Sequence, residues 1–113
     1  MNFSEYQKQA SVTAKYPGQG DNFTYPTLGL ISEAGEVADK VKKLSRDKNI
    51  HLPSELNDDQ RAELLKEAGD VLWYVSCLVT ELGADLDDVA TKNIEKLHSR
   101  LDRGKLSGSG DNR

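Results

Sequence analysis

Two stretches of the chain carry pairs of carboxylates inside an almost identical context. Residues 30–37 read LISEAGEV and residues 64–71 read LLKEAGDV, so five of eight positions are identical at an offset of 34 residues. Each stretch has two acids three residues apart, Glu33 with Glu36 and Glu67 with Asp70. Side chains at i and i+3 are neighbours on a helix, so each pair points one way. A single pair is typical of a solvated helix face, whereas the duplication favours one shared site.

Apolar stripes of matched helical spacing border the acids. They comprise Leu30, Ala34, Val37, Val41, Leu44 and Leu64, Ala68, Val71, Val75, Leu78. At about 100° per residue, Glu33 and Glu67 lie beside the stripes, and Glu36 and Asp70 lie about 60° further out on the same side. Two such helices packed antiparallel place all four carboxylates in a half-buried groove, where repulsion and desolvation disfavour the ionised forms. We expect no counter-charge there except a metal ion and a substrate. Oxygen ligands alone favour Mg²⁺, with Mn²⁺ as a substitute.

A polar and cationic stripe on the last predicted helix occupies the same margin as the acids of residues 33–36. It consists of Asn93, Lys96, Arg100 and Arg103. Spacing alone does not separate a stripe that faces the acidic groove from a solvated Lys/Arg face near a helix C-terminus. Carboxylates with Mg²⁺, flanked by amide and cationic groups, describe a receptor for a phosphate chain. No Cys/His or Ser/His/Asp arrangement offers a covalent route, so the expected nucleophile is a metal-activated water.

Four helices and no strand are predicted, so the fold class is all-α and four-helix bundle-like, and the small apolar fraction favours an oligomeric form of it. The predicted helices run from about Phe3 to Lys15, from Pro26 to Arg46, from Asn57 or Asp58 to Leu82, and from Asp85 or Asp87 to Gly104. Residues 1–104 form the domain, and residues 105–113 read as a flexible tail. The third helix is apolar on more than one side, which predicts a central position or an oligomer contact. Gly35 and Gly69 predict close approach of another helix.

Composition limits the class of protein. A chain of 113 residues suits one domain. Only 36% of its residues are hydrophobic and 30% are charged, which favours a homodimer or homotetramer over a monomer. The net charge of −4 argues against a nucleic-acid partner. The single cysteine, Cys77, is expected to be a small buried residue. No membrane span or signal-peptide pattern is evident, so we expect no membrane partner and a cytoplasmic location.

The two acidic pairs and the cationic stripe together resemble the motifs of the MazG-like nucleoside triphosphate pyrophosphohydrolases: Glu33-x-x-Glu36, Glu67-x-x-Asp70 and Asn93-x-x-Lys96-x-x-x-Arg100. These enzymes belong to an all-α superfamily that also contains dimeric dUTPases and phosphoribosyl-ATP pyrophosphatase. The resemblance extends from about Leu28 to Arg103. It implies an all-α homo-oligomer that depends on Mg²⁺ and cleaves between the α- and β-phosphates, typically in nucleotide-pool house-cleaning. It also implies that the four acids bind metal and that Lys96 and Arg100 contact phosphate.

The substrate's base is not specified by these motifs. The gap between the acidic pairs is long for the family, which suggests an insertion at residues 47–56 that alters the pocket. Candidate base contacts are Phe23 and Tyr25 of the first loop, with Trp73 and Tyr74 behind the acids, although aromatic residues in such positions are more often core.

Two other functions compete with this interpretation. Glu95-x-x-His98 is the E-x-x-H pattern of di-iron bundles, but it occurs once and points away from the groove. A helical dimerisation or adaptor module without catalysis also suits amphipathic helices with charged margins. That second alternative offers no reason for the acids to recur in register.

Overall fold

The computed structural model describes residues 1–113 and contains four α-helices, one short 3₁₀ helix and no strand. The α-helices are α1 (Phe3–Thr13), α2 (Thr24–Lys48), α3 (Asp58–Glu81) and α4 (Leu86–Asp102), and the 3₁₀ helix is Pro53–Glu55. The prediction of an all-α chain with four helices is therefore confirmed. The 3₁₀ helix, in the connection between α2 and α3, is an element that the sequence pattern did not predict.

Local hydrogen bonds set most helix ends. The Asn2 side chain accepts from the Glu5 N–H at 2.8 Å, and the Glu5 carboxylate accepts from the Asn2 N–H at 3.1 Å, so the predicted capping box is present. Asn57 caps α3 through the Gln60 N–H at 2.8 Å. The α3 helix ends before Gly83, whose φ of 69° suits a residue without a Cβ. The differences are small: α1 ends at Thr13, and α2 extends to Thr24 and Lys48.

The α2 and α3 helices form an antiparallel pair, as the matched stripes predict. Near the start of α2, Gly29 meets the ring of Tyr74 in the second half of α3. Near its end, Lys40 meets Glu63 in the first half of α3. This order of contacts runs the two duplicated stretches past each other and places their acids at the same level.

The α3 helix is central, because α1, α2 and α4 all pack on it. The Gln7 side chain of α1 ties the helix to the turn between α3 and α4, donating to the Ala84 carbonyl and accepting from the Leu86 N–H. The Trp73 indole donates to the Thr13 hydroxyl at 2.9 Å. The buried apolar residues cluster at this end of the molecule and are Ala10, Ala14, Pro26, Cys77, Val79 and Leu86. Burial of Cys77 is as predicted.

A single chain leaves the four-helix bundle open. The radius of gyration is 17.0 Å, against about 13 Å for a compact chain of this length. The accessible surface is 8037 Å², against roughly 6200 Å² for a compact monomer of this mass. The apolar spacing of the last helix also predicts a core stripe, which consists of Leu86, Ala90, Ile94, Leu97 and Leu101. Leu86 is buried, but the stripe is exposed from Ile94 onward, with Leu101 58% exposed. That part of the prediction is wrong for one chain, because α1 and α3 hold α4 through its first turn.

None of the helices combines the length and the apolar character that a membrane crossing requires.

Candidate metal centre

Carboxylates from α2 and α3 meet across the antiparallel pair. Glu33, Glu67 and Asp70 each place one oxygen so that all three oxygens lie within 4.8 Å of one another, and we call these residues the acid cluster. Glu33 and Glu67 are half-buried, whereas Asp70 is exposed. Metal–oxygen distances of about 2.1 Å in an octahedral Mg²⁺ site place ligand oxygens roughly 3–4 Å apart. Small side-chain rotations would bring the acid cluster to that spacing, so its donor set fits a hard divalent cation.

Glu36, the fourth predicted acid, lies outside the acid cluster. Its side chain is exposed and makes no hydrogen bond or ion pair. Its charge nevertheless reaches the cluster, since Glu36 contributes to the raised pKa of Glu33. The structure thus brings together three of the four predicted acids and leaves Glu36 at the rim, on the next turn of α2.

Repulsion and burial act on the acid cluster in the expected direction. Burial is the largest cause of the raised pKa of Glu33, followed by the charges of Asp70 and Glu67. These effects favour the protonated form of Glu33 in the folded chain. A divalent cation between the carboxylates would outweigh both effects, because its charge stabilises the ionised forms.

Lys40 supplies a counter-charge that we did not expect from the sequence. Its ammonium lies 3.4 Å from a Glu67 oxygen and 3.2 Å from a Glu63 oxygen. These hydrogen bonds, that to Glu63 first, raise the pKa of Lys40. The expectation that only metal and substrate balance the acids is therefore wrong. The i, i+4 spacing of Glu63 and Glu67 on α3 was a signal that could have indicated a shared cation.

The predicted stripe of α4 does not meet the acid cluster within one chain. Asn93 and Lys96 are exposed and make no hydrogen bond or ion pair with it. The α4 helix packs on α1 and α3, whereas the acid cluster is shared between α2 and α3. Arg100 is only 6% exposed. The residues that cover the Arg100 side chain belong to the C-terminal tail and not to α2.

The tail, expected to be an extension without fixed structure, folds back on the end of α4. The Arg100 guanidinium donates to the Asp111 carbonyl at 2.5 Å, and its Nε has no hydrogen-bond partner. Arg103 donates to the Arg113 carbonyl at 2.9 Å. The Arg113 guanidinium in turn donates to three carbonyls earlier in the tail, those of Lys105, Leu106 and Gly110. These bonds to backbone oxygens replace the water that an extended tail would bind.

Aromatic side chains gather beside the acid cluster. The rings of Tyr16 and Tyr25 stack with centroids 4.8 Å apart, and the Tyr25 centroid lies 6.4 Å from that of Tyr74. Trp73 meets Tyr74 edge to face at 4.9 Å. Of the predicted base contacts, Tyr25, Trp73 and Tyr74 therefore come together, and Phe23 stays 64% exposed. Sequence reasoning missed Tyr16, although its place at the start of the Gly-rich loop was a usable signal.

Close helix approach occurs at a glycine that the sequence analysis passed over. A Cβ built on Gly29 would lie 2.1 Å from the Tyr74 ring, so only glycine lets that ring lie against α2. At Gly35 and Gly69 a Cβ would meet nothing within 4 Å. The predicted close approach at these two positions is therefore wrong within one chain, because both face open space.

The connection of residues 47–56 packs at the opposite end of the α2–α3 pair from Tyr74. Ile50, Leu52 and Leu56 line an apolar groove of about 260 Å³ against Leu44 and Leu64. Leu44 and Leu64 also line a second groove of about 260 Å³ whose polar residues include Lys40, Lys43 and Lys48. The connection thus shapes the neighbourhood of Lys40 and leaves the aromatic residues untouched.

Comparison with known proteins gives one family and two relatives. A family model described as "MazG nucleotide pyrophosphohydrolase domain" matches residues 23–104. The Gene 37 protein of Mycobacterium phage L5 is 49% identical over 118 aligned residues, which cover all of both chains. The protein YvdC of Bacillus subtilis (strain 168) is 35% identical over 75 residues, covering 65% of this chain and 70% of its own. No solved structure matches.

Proposed function

The chain belongs to the MazG nucleotide pyrophosphohydrolase domain family, and from that premise we propose that it hydrolyses nucleoside triphosphates to nucleoside monophosphates and pyrophosphate. The observation that carries the proposal is the acid cluster, in which equivalent acids of two duplicated stretches converge from different helices. A shared metal site requires that the acids of the two stretches meet in space. Two independently solvated helix faces have no such requirement. A nucleotide-pool house-cleaning role in the cytoplasm is the corresponding cellular proposal.

The proposed mechanism uses the chain's carboxylates to hold the cofactor. When bound, Mg²⁺ or Mn²⁺ supplies a Lewis acid for the phosphate oxygens and lowers the pKa of a water molecule. Glu33, Glu67 and Asp70 would hold the ion, and Glu36 at the rim would be a further candidate ligand. Lys40 balances part of the Glu67 charge in the free protein. Water adds at the α-phosphorus, the bond to the α,β-bridging oxygen breaks, and pyrophosphate leaves with that oxygen.

The family resemblance assigns contacts with the substrate phosphates to Lys96 and Arg100, and Asn93 is a further substrate-binding candidate. Within one chain these residues lie on a helix that packs away from α2. We propose that the chain is a homodimer or homotetramer in which α4 of another copy approaches the acid cluster. The surface of roughly 1800 Å² that one chain exposes in excess of a compact monomer supports this, since a standard stable interface buries only about 800 Å² of each partner.

The competing functions receive less support. Glu95 and His98 are both exposed and lie outside the acid cluster, so the di-iron alternative lacks a second ligand motif. The adaptor alternative explains the exposed apolar residues of α4. It does not explain why burial and three neighbouring carboxylates together raise the pKa of Glu33.

Pyrophosphate release from a panel of common and modified (deoxy)nucleoside triphosphates tests the proposal. We expect release with at least one nucleotide in Mg²⁺, none in EDTA, and a loss of at least a hundredfold in Asp70→Asn. Glu95→Gln is the matched control, because Glu95 is an exposed acid with no hydrogen bond or ion pair. Turnover that persists in Asp70→Asn would reject the acid cluster as the metal site, and an inactive wild-type protein across the panel would favour the adaptor.

A further inference from the structure

One carboxylate outside the acid cluster organises the loop that carries the aromatic residues. Glu81, at the end of α3, accepts hydrogen bonds from the Gly20 N–H at 2.9 Å and the Asn22 N–H at 3.0 Å. It also accepts one from the Tyr16 hydroxyl. No cation pairs with it. We infer that Glu81 is a positioning residue that fixes the nucleotide-base subsite, an inference that rests on the proposed function.

The three bonds to Glu81 fix the path of the chain into α2. Asn22, one of the donors, also donates through its side chain to the Pro17 carbonyl at 2.7 Å. Its side-chain oxygen accepts from the Tyr25 N–H at 3.1 Å, in the first turn of α2. Tyr16 and Tyr25, whose rings stack, therefore sit at the two ends of a loop that a single carboxylate closes. Removing that carboxylate frees both rings together.

The aromatic residues lie along α3 between Glu81 and the acid cluster. Tyr74 follows Asp70 by one helical turn, which is about 6 Å along the axis. Its ring approaches Tyr25. Burial and then Tyr25 are the largest causes of the raised pKa of Tyr74, and the charge of Glu33 adds to them. Tyr25 remains 42% exposed. A triphosphate held at the acid cluster would therefore have a partly exposed aromatic side chain near its base, where stacking requires no fixed hydrogen-bond pattern.

Glutamine cannot replace Glu81 in this arrangement. Its amide has one acceptor oxygen, whereas the loop offers three donors to two carboxylate oxygens. The amide NH₂ group would face a backbone N–H, so at least one of the three bonds is lost and becomes a repulsive donor–donor contact. The Tyr16→Phe variant removes one donor and leaves the other two. Glu81→Gln is therefore expected to loosen the loop more than Tyr16→Phe does.

The test compares a ligand that has a base with one that lacks it. Dissociation constants are measured in Mg²⁺ for the α,β-methylene analogues of the four common deoxynucleoside triphosphates and for inorganic tripolyphosphate. In Glu81→Gln we expect nucleotide affinity to fall about tenfold to a hundredfold, and tripolyphosphate affinity to change less than twofold. Tyr16→Phe should show a smaller loss in the same direction, and Glu95→Gln should show none.

Several outcomes would overturn the inference. These are equal losses for nucleotide and tripolyphosphate, unchanged nucleotide affinity in both variants, or a wild-type protein that binds no analogue. A general loss of folding lowers both affinities and the melting temperature together. The ratio of nucleotide affinity to tripolyphosphate affinity therefore reports the positioning of the base subsite alone. Pyrophosphate release is assayed separately. A wild-type protein that binds nucleotides without hydrolysing them would refute the proposed function, while the affinity ratio would still decide the role of Glu81.

Discussion

Replacing Glu33 by Gln should stabilise the metal-free protein and weaken its response to Mg²⁺. Burial and neighbouring carboxylates raise the pKa of Glu33 in the folded chain. A raised folded-state pKa means that Glu33 contributes stability when it is protonated at low pH, and that this contribution is lost as pH rises through the folded pKa. At neutral pH the ionised side chain therefore costs stability. The neutral amide removes that cost.

The size of the effect follows from the spacing of the carboxylates. Two unit charges 4.8 Å apart repel by about 0.9 kcal/mol at the dielectric constant of water. This value is a lower limit, because Glu33 and Glu67 are half-buried, while Asp70 is exposed and Lys40 screens part of the charge. A gain of about 1 kcal/mol corresponds to roughly 4 °C in melting temperature, since a chain of this length has an unfolding entropy of about 240 cal/mol/K.

Thermal unfolding is measured with EDTA and with Mg²⁺, at pH 7 and below about pH 4. It checks both the stability of the metal-free protein and its response to Mg²⁺. In EDTA at pH 7 we expect Glu33→Gln to melt above wild type, with the difference gone at the lower pH. Its Mg²⁺-induced shift should be about 6 °C smaller, as for a tenfold loss of affinity. Glu95→Gln should match wild type throughout. A Glu33→Gln protein that is less stable than wild type in EDTA at pH 7, or that keeps the full Mg²⁺ shift, would refute the reasoning.

Three further predictions follow. Lys96→Ala should lower kcat/KM by roughly one to two orders of magnitude without changing Mg²⁺ affinity, and Arg103→Ala should have less effect; equal, negligible losses would show a solvated face. Gly29→Ala should destabilise by about 1–3 kcal/mol through its clash with Tyr74, whereas Gly35→Ala should stabilise by up to about 1 kcal/mol; chemical denaturation measures both, and a reversed order would contradict the contact. Light scattering at micromolar concentration should show a dimer or tetramer, and a stable monomer would exclude the proposed interface.

Sequence alone was enough for the features that short-range interactions determine. Helix ends follow from donors and acceptors within three or four residues, as between Asn57 and Gln60 or at Asp85, where the side chain accepts from the Asp87 N–H. The packing of α2 on α3 follows from apolar stripes that repeat with the same spacing, and the short connection between these consecutive helices favours the antiparallel direction. The convergence of Glu33 with Glu67 was predictable for the same reason, because equivalent positions on matched helices occupy matched margins.

Other features depend on how each helix is rotated about its axis and on which residues lie opposite it, and only the tertiary structure determined them. Glu36 and Asp70 hold equivalent places in the duplicated stretches, yet only Asp70 joins the acid cluster. The apolar stripe of α4 repeats every helical turn, but α1 and α3 pack only on its first part. Its later apolar residues are therefore exposed. The role of Glu81 depends on donors that lie about 60 residues earlier in the chain. Periodicity records which face of a helix is apolar and carries no information about which distant backbone N–H will meet a carboxylate there.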